Sequence, residues 1–162
     1  MTTPKKILII DDEPKIVKAL CDAFRFEEGF VVEGLTDGAE SIQYLQSTPA
    51  PDLVILDWRL KGAVQGRDVL MYVRENKPET PVWVVTASIH FLDEINSLKP
   101  SASFLKPLPE LKERIVRFLT VGAWVVRSDP TANVFNKQLI EVRLLNKTST
   151  DLGKVKSAYG KI

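Results

Sequence analysis

The chain is punctuated by short runs that are apolar at every position: Ile7-Leu8-Ile9-Ile10, Leu53-Val54-Ile55-Leu56 and Val82-Trp83-Val84-Val85. Strands that are apolar at consecutive positions bury both faces, as they do where helices cover both sides of a parallel sheet. Weaker runs over residues 30–32 and 103–105 complete a set of five. Between the runs, apolar positions recur at i, i+3, i+4. Ile16, Ala19, Leu20, Ala23 and Phe24 predict a first helix that starts near Pro14 and ends at Gly29. Ala39, Ile42 and Leu45 predict a second, entered from Asp37-Gly38 and closed before Pro49. Val69, Leu70 and Val73 mark a third that stops before Pro78, residues 91–98 a short fourth, and Leu111, Ile115, Phe118 and Leu119 a fifth. Strand and helix alternating in this way predict an α/β fold, a (βα)5 doubly wound, five-stranded parallel sheet with right-handed crossovers.

Composition narrows the picture. A chain of 162 residues with 44% apolar and 27% charged side chains holds one domain of ~120 residues and an appendage. We expect the domain over residues 1–121 and a C-terminal extension over 122–162. One cysteine, Cys21, and one histidine, His90, exclude an intrachain disulfide, a thiolate zinc site and any two-histidine metal motif. Cys21 reads as core packing on the apolar side of the first helix, and His90 as structural or solvated. No apolar run approaches the ~20 residues of a membrane span. The N-terminal lysines lead into only four apolar residues before acids begin, too few for the apolar core of a signal peptide. A cytoplasmic setting without membrane association is the expectation. Charge is uneven: residues 1–120 carry 15 basic and 18 acidic side chains, net −3, whereas 121–162 carry 7 and 3, net +4. A basic tail is either a solvated linker or a segment that faces nucleic acid.

Ligands of open parallel sheets bind beyond the carboxyl ends of the strands, so the residues that close each run matter most. Asp11, Asp12 and Glu13 follow the first run, Asp57 the second, Thr86 the third, and Lys106-Pro107 the fifth. Clustered carboxylates repel, and a hard divalent cation such as Mg²⁺ relieves the repulsion through oxygen ligands. Asp12 and Asp57 suit direct ligation, with Asp11 acting through water. A carboxylate beside such a metal can also attack phosphorus as a nucleophile. Thr86 offers a hydroxyl and Lys106 a positive charge to the oxygens of a phosphoryl group. No general base is evident, which suits a nucleophile already ionised at pH 7.

Those residues, in that order, give the chain from about Lys5 to Leu119 its resemblance to the receiver domain of two-component response regulators, the CheY-like family. The resemblance implies a metal site at Asp11, Asp12, Asp57 and the backbone carbonyl of Arg59. It makes Asp57 the phosphoacceptor, Thr86 the switch hydroxyl and Lys106 the active-site lysine. It further implies a cis Lys106-Pro107 bond, a histidine kinase or phosphotransfer protein as donor, and Mg²⁺ as cofactor. The switching face is formed by the fourth helix, fifth strand and fifth helix, about residues 91–120, and a homodimer through that face is one outcome. The sequence departs from the family at several points. Lys61 stands where the family has proline, and Gly66 opens the third helix one residue late. The place of the family's switch aromatic is held by Ser103, with Phe104 next. Either Phe104 takes that role or the aromatic half of the switch is missing.

The extension contains an apolar stretch over 122–126 and a turn-rich linker over 128–132. Residues 144–160 are faintly similar to the first part of a Fis-type helix-turn-helix without its recognition helix. DNA binding is therefore expected only from a fuller C-terminal domain. The alternatives are an adaptor or stand-alone receiver that signals by protein contacts and, more remotely, a haloacid dehalogenase-type phosphatase. The latter needs Asp-x-Asp after its first strand, where this chain has Asp11-Asp12-Glu13.

Overall fold

The structure is a computed structural model that describes residues 3–121. The elements run β1 (Lys5–Ile10), α1 (Pro14–Phe24), β2 (Phe30–Leu35), α2 (Gly38–Ser47), β3 (Leu53–Asp57), α3 (Gly66–Asn76), β4 (Val82–Thr86), α4 (Leu92–Ser97), β5 (Ala102–Leu105) and α5 (Leu111–Val121). All strand pairings are parallel, and the order across the sheet is β2-β1-β3-β4-β5. This is the doubly wound α/β architecture that the alternating runs predict. The expected extension over 122–162 lies outside the described residues.

The period of two along each strand divides the core into two layers. Leu8, Ile10, Val54, Leu56, Val82 and Val84 face α2, α3 and α4, where they meet Leu45, Val69, Leu70, Val73 and Ile95. Ile7, Ile9, Leu53, Ile55, Trp83 and Val85 face α1 and α5, where they meet Val17, Phe24, Ile115 and Phe118. Burial of each such side chain stabilises the fold by roughly 1.5–3 kcal/mol before conformational entropy is charged against it. A one-residue slip of any central strand would exchange the two sets, and both layers therefore fix the register.

Helix ends follow local chemistry. Pro14 occupies the first turn of α1, where its missing N–H costs nothing. The Asp37 carboxylate accepts hydrogen bonds from the N–H groups of Ala39 and Glu40 at 2.8 and 3.0 Å, capping α2. Gln65 and Asp68 form a reciprocal capping box at the start of α3. One expectation is corrected. Helix α1 stops at Phe24 rather than at Gly29, and Gly29 adopts φ +84° just before β2 instead. The fourth helix, expected over residues 91–98, runs Leu92–Ser97 after a single 3₁₀ turn over Ile89–Phe91, and Ile95 is its buried residue.

Candidate functional site

The strand order reverses between β1 and β3, and such a switch point opens a crevice beyond the strand ends. Backbone hydrogen bonds tie that edge together: Asp11 N–H to Leu35 O (3.2 Å), Trp58 N–H to Val85 O (3.0 Å) and Lys106 N–H to Thr86 O (2.8 Å). The residues that leave each strand are thereby held side by side. Gly66 lets α3 begin against them. A Cβ at this position would lie 2.4 Å from the Asp57 carbonyl oxygen and 2.7 Å from that of Trp58.

Asp11, Asp12 and Asp57 each offer a carboxylate oxygen, and these oxygens lie within 4.8 Å of one another. Asp11 and Asp57 are buried and Asp12 is half-buried. The Asp11 carboxylate also accepts the Glu13 N–H at 2.9 Å, which orients it. Lys106 Nζ reaches Asp11 Oδ2 at 2.7 Å and Asp57 Oδ1 at 3.0 Å. Burial pushes the Asp57 carboxyl above its ordinary value, and Lys106 offsets this only in part because Asp11 and Asp12 add repulsion. Burial also works against the Lys106 charge, but its hydrogen bonds and proximity to Asp11 and Asp57 outweigh that and hold it above the usual lysine value. The two directions are compatible: Asp57 faces one cation and two like charges, whereas Lys106 faces two anions.

Five of the residues singled out from the sequence thus lie along one edge: Asp11, Asp12, Asp57, Thr86 and Lys106. Thr86 is buried, and its Oγ1 accepts the Ser88 N–H at 3.2 Å. Arg59 follows Asp57 by two residues, and its guanidinium is 5.9 Å from the Phe91 ring centroid. The Lys106-Pro107 bond is cis. Ser103 and Phe104 point to opposite faces. Ser103 Oγ donates to Asn96 Oδ1 at 2.9 Å on the α4 side. Phe104 is fully buried on the other side, its ring 5.4 Å from that of Trp83. The face beside α4 therefore holds a polar pair where Phe104 would have been the aromatic alternative.

Sequence reasoning did not bring Lys61 into the site. Its Nζ lies 3.2 Å from Asp12 Oδ2. The available signal was a lysine four residues beyond Asp57, in the loop leaving the strand end. An apolar cleft of about 510 Å³, lined in part by Ile16, Leu20, Leu108 and Leu111, opens beside Asp11, Asp57 and Lys106. Among the described residues no helix is long and apolar enough to cross a membrane.

Known proteins resemble this chain in sequence and fold. The pattern of the response regulator receiver domain matches residues 7–113. The transcriptional regulatory protein TcrA of Mycobacterium tuberculosis is 32% identical over 158 residues, 90% of this chain and 61% of its own length. Response regulator TrrA of Thermotoga maritima, solved in complex with Mg²⁺-BeF, is 30% identical with a TM-score of 0.60 and covers 70% of this chain and 97% of that one. A CheY-like receiver protein of Methanospirillum hungatei shares the fold at a TM-score of 0.64 and 24% identity, over 72% of this chain and 94% of that one. The chain spans about half the length of the curated relatives it matches.

Proposed function

The chain belongs to the response regulator receiver family, and from that premise we propose that Asp57 accepts a phosphoryl group from a histidine kinase or phosphotransfer protein in a Mg²⁺-dependent reaction. The observation that carries this reading is the convergence of three carboxylates with Lys106 at the switch-point edge. The donor set fits the metal: all are hard oxygen ligands, close enough to share one small cation. Asp11, Asp12, Asp57 and the Arg59 carbonyl would hold it. When bound, Mg²⁺ supplies charge neutralisation between the carboxylates and the phosphoryl oxygens.

An Asp57 oxygen attacks phosphorus, the bond from phosphorus to the donor nitrogen breaks, and the electron pair leaves with that nitrogen. Lys106 already sits on Asp57 Oδ1 and is placed to hold an equatorial oxygen of the transferred group. The acyl phosphate carries about −1.5 to −2 charges. It draws the Thr86 hydroxyl away from the Ser88 backbone, and the vacated space biases α4, β5 and α5. This is a two-state equilibrium shifted by a local charge. The chain acts as a signalling switch that catalyses its own phosphorylation and dephosphorylation in the cytoplasm. Its output is control of transcription by a longer protein, a reading favoured by the names of its relatives TcrA and TcrX. A homodimer through residues 91–120 belongs to the same reading, with the receiver over 1–121 and the output segment beyond.

Intact mass after incubation with Mg²⁺ and acetyl phosphate tests the assignment. One added phosphoryl group is expected in the wild type and none in Asp57→Asn. Persistence of the adduct in the variant would remove Asp57 as the acceptor.

A further inference from the structure

The three carboxylates at the sheet edge meet two lysines of different character. Lys106 bridges two acceptors, Asp11 and Asp57, and its side chain is 24% exposed. Among the described residues Lys61 has one carboxylate partner, Asp12 at 3.2 Å, and its side chain is 80% exposed. The loop around Lys61 is pinned on both sides. Leu60 is buried in the α2/α3 layer. Gly62 turns the chain at φ +101°, and its carbonyl accepts a hydrogen bond from Gln65 Nε2 at 2.8 Å. The backbone at 61 is thus fixed by its neighbours, while the long, solvated side chain above it reaches the acidic cluster.

We propose that Lys61 is a tethered counter-cation that occupies Asp12 in the metal-free protein and withdraws when Mg²⁺ binds. This rests on the reading of Asp11, Asp12 and Asp57 as the Mg²⁺ site. Asp12 is the cluster's most accessible carboxylate, and a divalent ion competes for the charge that Lys61 neutralises. Between the two lysines, Lys61 is the one that leaves. It surrenders one contact made by a solvated side chain to a half-buried carboxylate, whereas Lys106 would leave two buried carboxylates unpaired. Lys61 is a positioning residue for the metal step: the protein binds Mg²⁺ less tightly than its carboxylates alone would allow, because part of its population holds the site closed with an internal cation.

Calorimetric Mg²⁺ titration of the full chain tests this without reference to phosphorylation. Lys61→Ala should tighten Mg²⁺ binding by about two- to fivefold, the scale of a single ion pair made by a solvated lysine. Lys61→Arg should keep the wild-type affinity, and raising the ionic strength should narrow the gap between wild type and Lys61→Ala. Arg67→Gln removes another exposed cation, paired with Glu94 rather than with the cluster, and should leave the affinity unchanged. Equal affinities for wild type and Lys61→Ala, with binding lost in Asp12→Asn, would overturn the role of Lys61 while the metal site stands. Equal tightening by Arg67→Gln would also overturn it by reducing the effect to overall charge. No Mg²⁺ binding by any variant would overturn the metal site and this inference together.

Discussion

At the scale of single residues, Asp57 carries opposing demands. A nucleophile must be ionised, yet burial raises its pKa and so disfavours the charge. Lys106 is the compensating group, and the short contacts to Asp57 and Asp11 are the physical reason the carboxylate is tolerated at 9% side-chain exposure. The cost should be visible in stability. A carboxyl with a raised folded-state pKa contributes stability that is present below its unfolded pKa and lost as pH rises through the folded value. Asp57→Asn removes that loss. We expect the variant to be more stable than wild type at neutral pH, by on the order of 1 kcal/mol. The gain should vanish in acid, where Asp57 is itself protonated. Urea denaturation of both proteins across that range measures the difference. A constant difference at all pH values would show that the Asp57 charge is not the strained element.

Elements explain what could be read in the sequence and what could not. Strands β1, β3 and β4 were legible because their apolar runs are buried on both faces, so no solvent-facing position interrupts them. β2 lies at the sheet edge and alternates in exposure, with Glu33 and Gly34 breaking its pattern, and only its first half stood out. α4 is short and has no side-chain cap, yet its limits fall within a residue of the stretch its apolar positions mark. The positions of Asp11, Asp12, Asp57, Thr86 and Lys106 were legible for a topological reason: each closes a run, and parallel strands bring such closures to one edge. The partners of Ser103 and Lys61 were not, because Asn96 lies in α4 and Asp12 in the loop after β1, and no periodicity encodes a pairing between such separate segments. Gly66 shows the same limit in a backbone. It opens α3, but only the structure reveals the Asp57 and Trp58 carbonyls against it. Gly66→Ala should destabilise the protein by about 1–3 kcal/mol, as overpacking does, and should slow Asp57 phosphorylation by shifting the strand end. Thermal unfolding and the acetyl phosphate time course check the two effects. An alanine variant of wild-type stability would mean that the loop yields at no cost.

At the scale of the whole molecule, one sheet separates two apolar layers, and the charged edge lies where β1 and β3, strands common to both layers, come to an end. A ligand held at that edge therefore acts on the entire fold. Metal that binds only the native state stabilises it by RT ln(1 + [L]/Kd), about 1.4 kcal/mol at a free concentration of roughly ten times Kd. For a unit of ~120 residues this corresponds to a rise of about 5 °C in the unfolding midpoint. If the two layers unfold as one, the central amides of β1, β3 and β4 exchange only through global opening, and saturating the site to that degree slows all of them by the same factor, about tenfold. Hydrogen exchange with and without Mg²⁺ distinguishes this from a local clamp. A clamp would protect only the amides next to Asp11, Asp12 and Asp57 and leave the rest of the strands unchanged. The shared-strand geometry favours the uniform result, since neither layer keeps its packing surface once β1 and β3 part.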